Sequence, residues 1–99
     1  MWILRTIDGG APEQTFRLLA GTVKTVGRGT VADFILDAAL VSRVHCRLTA
    51  LADGGLEIQD LDSTNGTFVN GERVQAAHLA SGDRLRIGRV DLIAVRDME

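Results

Sequence analysis

The chain is short of cysteine, lysine, proline and long apolar runs, and each shortage excludes something. Cys46 is the only cysteine among 99 residues, so an intrachain disulfide is impossible and a reducing compartment is a natural setting. No stretch approaches the roughly 18 apolar residues of a membrane span. The opening Met1-Trp2-Ile3-Leu4-Arg5 also lacks the apolar run of a signal peptide. The expected location is cytoplasmic. An excess of positive charge is missing too: the formal net charge is -2, which argues against a protein that coats nucleic acid. Lys24 is the sole lysine among eleven cationic residues, so the cationic chemistry belongs to arginine, through its forked geometry or through a compositional bias.

What is present suits one small β domain. A hydrophobic content of 45% over 99 residues supplies one modest core, and two domains are excluded on size. Turn signals come too often for helices. Strands are expected at 2–7, 15–19, 22–26, 34–36, 44–51, 56–61, 67–69, 84–87 and 90–95, with an irregular loop or short strand at 74–79. Asp8-Gly9-Gly10, a loop holding the only proline Pro12, Asp53-Gly54-Gly55, Asn65-Gly66, Asn70-Gly71 and Ser81-Gly82-Asp83 punctuate them. About ten short strands at this spacing indicate an antiparallel sandwich. In the strand 44–51, Val44, Cys46, Leu48 and Ala50 share one face and His45, Arg47 and Thr49 the other, which makes Cys46 a small core residue.

Three polar loops separate these strands. Val26-Gly27-Arg28-Gly29 offers a guanidinium on a glycine-flanked turn. Val41-Ser42-Arg43-Val44-His45-Cys46 packs a hydroxyl, a guanidinium and an imidazole into four residues, and Asp62-Ser63-Thr64-Asn65-Gly66-Thr67 adds hydroxyls and an amide. Brought together at one end of a sandwich, these donors make a shallow socket for a doubly charged oxyanion such as phosphate. A catalytic reading finds less support. Ser42 and His45 lie on a turn entering a strand, where mutual orientation is not given, and nothing resembles a nucleophile elbow. His45, His78 and Cys46 lack metal-ligand spacing. No enzyme activity, cofactor or metal is expected.

Four blocks of sequence are similar to the signature of the forkhead-associated (FHA) domain, in order and spacing: Val26-Gly27-Arg28, Ser42-Arg43-Val44-His45, Asp60 to Gly71, and Gly82 to Gly88. The resemblance covers essentially residues 1–99 as one FHA domain. It implies an all-β fold, an eleven-stranded antiparallel sandwich of the FHA/SMAD-like type, with ligand-binding loops at one end. It further implies phosphothreonine-peptide binding, a partner carrying a phosphothreonine made by a Ser/Thr kinase, and no direct contact with nucleic acid or membrane. Carried over by position, Arg28 grips the phosphate and Ser42 donates its hydroxyl. Arg43 and Thr64 complete that shell, and Asn65 bonds the peptide backbone. Gly27, His45, Gly66, Asn70 and Gly71 are implied as structural support, and Arg89 as a possible specificity contact. Leu40 departs from relatives with a basic residue just before the serine. A monomer is favoured. A nuclear location would apply only to a eukaryotic DNA-damage protein, and a phosphorylation-independent module using a sheet face is the alternative function.

Overall fold

The computed structural model describes residues 1–8 and 13–97, so the expected loop around Gly9, Gly10 and Pro12 lies outside the described residues. Among the described residues, eleven strands form two sheets packed face to face. One sheet has six strands in the order β2-β1-β11-β10-β7-β8: Thr15–Leu18, Trp2–Asp8, Val90–Arg96, Arg84–Ile87, Thr67–Val69 and Glu72–Arg73. The other has five, β4-β3-β5-β6-β9: Phe34–Ile35, Val23–Gly27, Cys46–Ala50, Leu56–Asp60 and Ala76–Leu79. The sandwich follows from period-two alternation. Trp2, Leu4, Leu18, Leu85, Ile87, Leu92 and Ala94 point inward from one sheet, and Val26, Cys46, Leu48, Ala50, Leu56 and Ile58 from the other.

The sequence reading and the structure differ at two places. The strand expected from Val44 starts only at Cys46, and His45, expected on the outer face, is fully buried. Its ring turns inward because it has two backbone partners there, described below. Glu72–Arg73 forms β8, a two-residue edge strand too short to leave a periodic signal. The stretch 74–79, expected as an irregular loop or short strand, holds the short strand β9, Ala76–Leu79, paired with β6. All strand pairs are antiparallel except β3 with β4, which run parallel through Val26↔Phe34 and Gly27↔Ile35.

The topology puts the polar loops at one end. β10 and β11 are joined by a turn at Gly88-Arg89, and Ile87 pairs with Thr67, so the loop before Thr67 opens at the same end. The loop before Cys46 opens there too, because Cys46 pairs with Val26 at the exit of β3. At the other end, the start of β1 lies beside the finish of β11, where the Asp97 amide donates to the Met1 carbonyl at 2.8 Å.

Candidate functional site

Backbone contacts clamp the first two loops together. The Arg28 amide donates to the Ser42 carbonyl at 2.9 Å, and the Gly29 amide to the Arg43 carbonyl at 3.0 Å. This closeness explains Gly27: a Cβ there would lie 2.1 Å from the Arg43 carbonyl oxygen, inside any permissible contact. The clamp places Arg28 and Ser42 side by side.

A relay of hydrogen bonds then fixes the third loop. The Ser42 amide can only donate, so at 3.1 Å from His45 Nδ1 it identifies Nδ1 as an acceptor. The ring proton is therefore on Nε2, which donates to the Gly66 carbonyl at 2.8 Å. Burial lowers the His45 pKa from its ordinary value, against the Gly66 carbonyl and Asp60, which act to raise it. The imidazole is thus a neutral strut between two loops. In turn the Gly66 amide donates to Ser63 Oγ at 3.0 Å, and the Thr64 amide to Ser42 Oγ at 3.2 Å.

Asp60, at the end of β6, anchors this loop from below. Its carboxylate accepts from Ser63 Oγ at 2.5 Å, the Ser63 amide at 3.1 Å and Thr67 Oγ1 at 2.7 Å. Burial acts to raise its pKa, but these hydrogen bonds and nearby His45 outweigh that and hold it below the usual carboxylate value. Sequence reasoning did not place Asp60 or Ser63 among the supporting residues. The signal was there, because Leu56, Ile58 and Asp60 fall on the inward side of one strand, and a buried carboxylate needs donors.

Of the residues singled out from sequence, Arg28, Ser42, Thr64 and Asn65 line one open cleft of about 190 Å³, together with Leu40 and Val41. No carboxylate is in that lining. Among the described residues the Arg28 guanidinium and the Thr64 hydroxyl have no hydrogen-bond partner, so both are available to a ligand. Ser42 Oγ, accepting from Thr64, keeps its own proton to donate. Asn65 Nδ2 reaches across to the Leu40 carbonyl at 3.0 Å, leaving Oδ1 as its free acceptor. Leu40 itself adopts φ 72°, unusual for a leucine.

Other sequence-predicted residues lie elsewhere. Arg43 lines a separate cleft of about 520 Å³ with Gly29, Thr30, Val31 and Val44. Arg89 is exposed on the β10–β11 turn, which abuts the Leu40 backbone so closely that a Cβ on Gly88 would meet the Leu40 carbonyl oxygen at 2.7 Å. Asn70 and Gly71 do not join the cleft, because β7 carries the chain away from it. Asn70 there donates to Asp83 Oδ1 at 3.0 Å and accepts from the Arg84 amide at 2.9 Å, tying two turns of the opposite end. Cys46 is buried in the core, where burial pushes its thiol far above its ordinary pKa.

The FHA domain family model matches residues 24–88, the stretch that contains every residue lining the cleft. This chain belongs to the FHA family. Among curated relatives, an ABC transporter ATP-binding/permease protein of Mycobacterium tuberculosis is 46% identical over 79 residues, covering 80% of this chain and 9% of the transporter. The glycogen accumulation regulator GarA of Mycolicibacterium smegmatis is 40% identical over 76 residues, 77% of this chain and 48% of GarA. The FHA chain thus spans at most about half of the length of these relatives. Among solved structures, an FHA domain studied for phosphothreonine-dependent interactions is 35% identical with a TM-score of 0.87, covering 99% of this chain and 98% of that one. An FHA domain of Chlamydia trachomatis is 27% identical with a TM-score of 0.89 and the same coverage.

Proposed function

We propose that this FHA domain binds phosphothreonine peptides and so mediates phosphorylation-dependent protein–protein interaction in Ser/Thr kinase signalling. The observation that carries the reading is the cleft in which Arg28, Ser42 and Thr64 present unspent donors with no carboxylate beside them. A phosphate monoester brings about -1.5 to -2 charge and three acceptor oxygens near neutral pH. Hydrogen bonds to charged groups contribute roughly 1.5 to 3 kcal/mol each, so three of them support micromolar affinity after association costs. In this reading Arg28, Ser42 and Thr64 hold the phosphate, and Asn65 docks the peptide backbone through its free Oδ1. Arg43 contributes the second cation from the neighbouring cleft, and Arg89 lies where residues after the phosphothreonine would pass.

The same geometry speaks against catalysis. His45 spends Nδ1 on the Ser42 amide and Nε2 on the Gly66 carbonyl, so it has no nitrogen left to activate the Ser42 hydroxyl. The domain is taken to fill residues 1–99, since β1, β2 and β11 lie wholly outside the matched stretch and complete the six-stranded sheet. A cytoplasmic monomer acting on a kinase substrate fits this reading, and no helix among the described residues is long and apolar enough to cross a membrane.

The test is fluorescence anisotropy of the purified domain against oriented phosphothreonine, phosphoserine and unphosphorylated peptide libraries. Micromolar binding confined to phosphothreonine is expected. An apolar recess for the threonine methyl group, worth about 1 to 3 kcal/mol, would make that preference at least roughly tenfold. Arg28→Ala should abolish binding without lowering the melting temperature, because the side chain is exposed and has no partner among the described residues. Wild-type affinity in that variant would refute the assignment.

A further inference from the structure

The outer face of the six-stranded sheet is basic although the chain as a whole is acidic. Strand register arranges its side chains in three rows. Arg17, Ile3 and Val95 form the first, and Arg5, Ile93 and Arg84 the second. Asp91, Arg86, Phe68 and Arg73 form the third, with Asp8 paired beside Asp91. Five arginines against two carboxylates leave +3 on this face, so the rest of a chain of net charge -2 carries -5. One arginine is neutralised locally: Arg86 Nε lies 3.0 Å from Asp91 Oδ1. Arg5, Arg17, Arg73 and Arg84 have no carboxylate partner among the described residues. The outer face of the other sheet shows no such excess, since its Arg47 is bonded to Gln59 and shares the surface with Glu57.

Apolar groups are interleaved with these cations. Val95 is 38% exposed, and Phe68 lines a groove of about 360 Å³ together with Arg84, Arg86 and the Asp91 that pairs with Arg86. We propose that this face docks an extended acidic segment of a partner protein, with aspartate or glutamate alternating with aliphatic residues, independently of phosphate. The fit is one of charge and spacing. Guanidinium forks match carboxylates in bidentate pairs, and each row sets an apolar group beside its arginines, so a segment carrying both kinds of side chain finds both kinds of partner. The -5 on the remainder of the molecule disfavours a bulk polyanion such as a nucleic acid or an anionic bilayer, which meets the whole surface. A short acidic segment feels mainly the charges within a Debye length of about 8 Å.

The test titrates a fluorescent, unphosphorylated synthetic peptide of alternating glutamate and leucine into the domain at low and physiological salt. A glutamine-and-leucine peptide, phosphatidylserine vesicles and duplex DNA run alongside. The glutamate peptide should bind, weaken with salt, and lose roughly tenfold in affinity in the Arg5→Gln/Arg84→Gln double variant. That variant should keep the wild-type melting temperature and phosphothreonine-peptide affinity, and Arg28→Ala should leave the glutamate peptide bound. The two sites therefore fail separately. Absence of binding, equal binding by wild type and double variant, tighter binding to vesicles or DNA, or self-association removed by the double variant would each overturn the proposal.

Discussion

His45 spends its whole ring on holding two loops together. Both ring nitrogens are used, one as acceptor and one as donor, and only the neutral ring can do this. Its lowered pKa therefore has a sign: below the ordinary value of 6.5 the unfolded chain takes up a proton that the native chain resists. Stability conferred by His45 is complete above that pH and is lost as pH falls through the window beneath it. Urea unfolding at neutral and mildly acid pH should show this slope, and His45→Gln should flatten it. Asp60 acts in a lower window, because its depressed pKa makes its contribution vanish only as pH falls below the ordinary 3.8. The resemblance implied support rather than chemistry for His45, but the orientation of its ring was not legible. Alternation assigned it to the outer face, and the two backbone groups that draw it inward belong to Ser42 and to Gly66, 21 residues away.

Strand periodicity and turn residues carried most of the element order, because each strand with a buried face must alternate. An element without that constraint was lost: β8 is two exposed residues at a sheet edge, which leave no pattern. The strand expected at 34–36 is present as β4, but its parallel pairing with β3 through only two residue pairs left no sequence signal. A block contiguous in sequence also need not stay together in space. Thr64 and Asn65 line the cleft, whereas Asn70 and Gly71 are carried to the opposite end by the three residues of β7. Arg43 adjoins Ser42 in sequence but faces another cleft, as neighbours entering a strand commonly diverge. Loop geometry depends instead on the clamp between the β3 exit and residues 42–43. Gly27→Ala forces a Cβ against the Arg43 carbonyl, so these backbones must part. A cost of about 1 to 3 kcal/mol is expected in chemical denaturation, with a larger relative loss of phosphopeptide affinity, since Arg28 moves with the backbone. Unchanged affinity in that variant would dissociate the clamp from the site.

The sheets close only when chain segments beyond the signature blocks are included. Residues 24–88 lack β1, β2 and all of β11, and with them Trp2, Leu4, Phe16, Leu18, Val90, Leu92 and Ala94 from the core. A 24–88 fragment should be unfolded by circular dichroism, while 1–99 shows a cooperative transition. Folding of the full chain must bring β1 to β11, a pairing between the two ends of the sequence, and such non-local ladders form in milliseconds to seconds rather than microseconds.

That terminal ladder also fixes how the domain answers to force. Met1 and Asp97 leave from the same point, and β1 and β11 run antiparallel away from it. Tension applied through the two ends therefore loads the ladder one hydrogen bond at a time, peeling it like a zip instead of shearing all its bonds together. The cleft, at the far end, would be the last part to feel the pull. A host chain under load would stretch this domain open from its attachment point at low force, and a bound peptide would do little to resist the first steps.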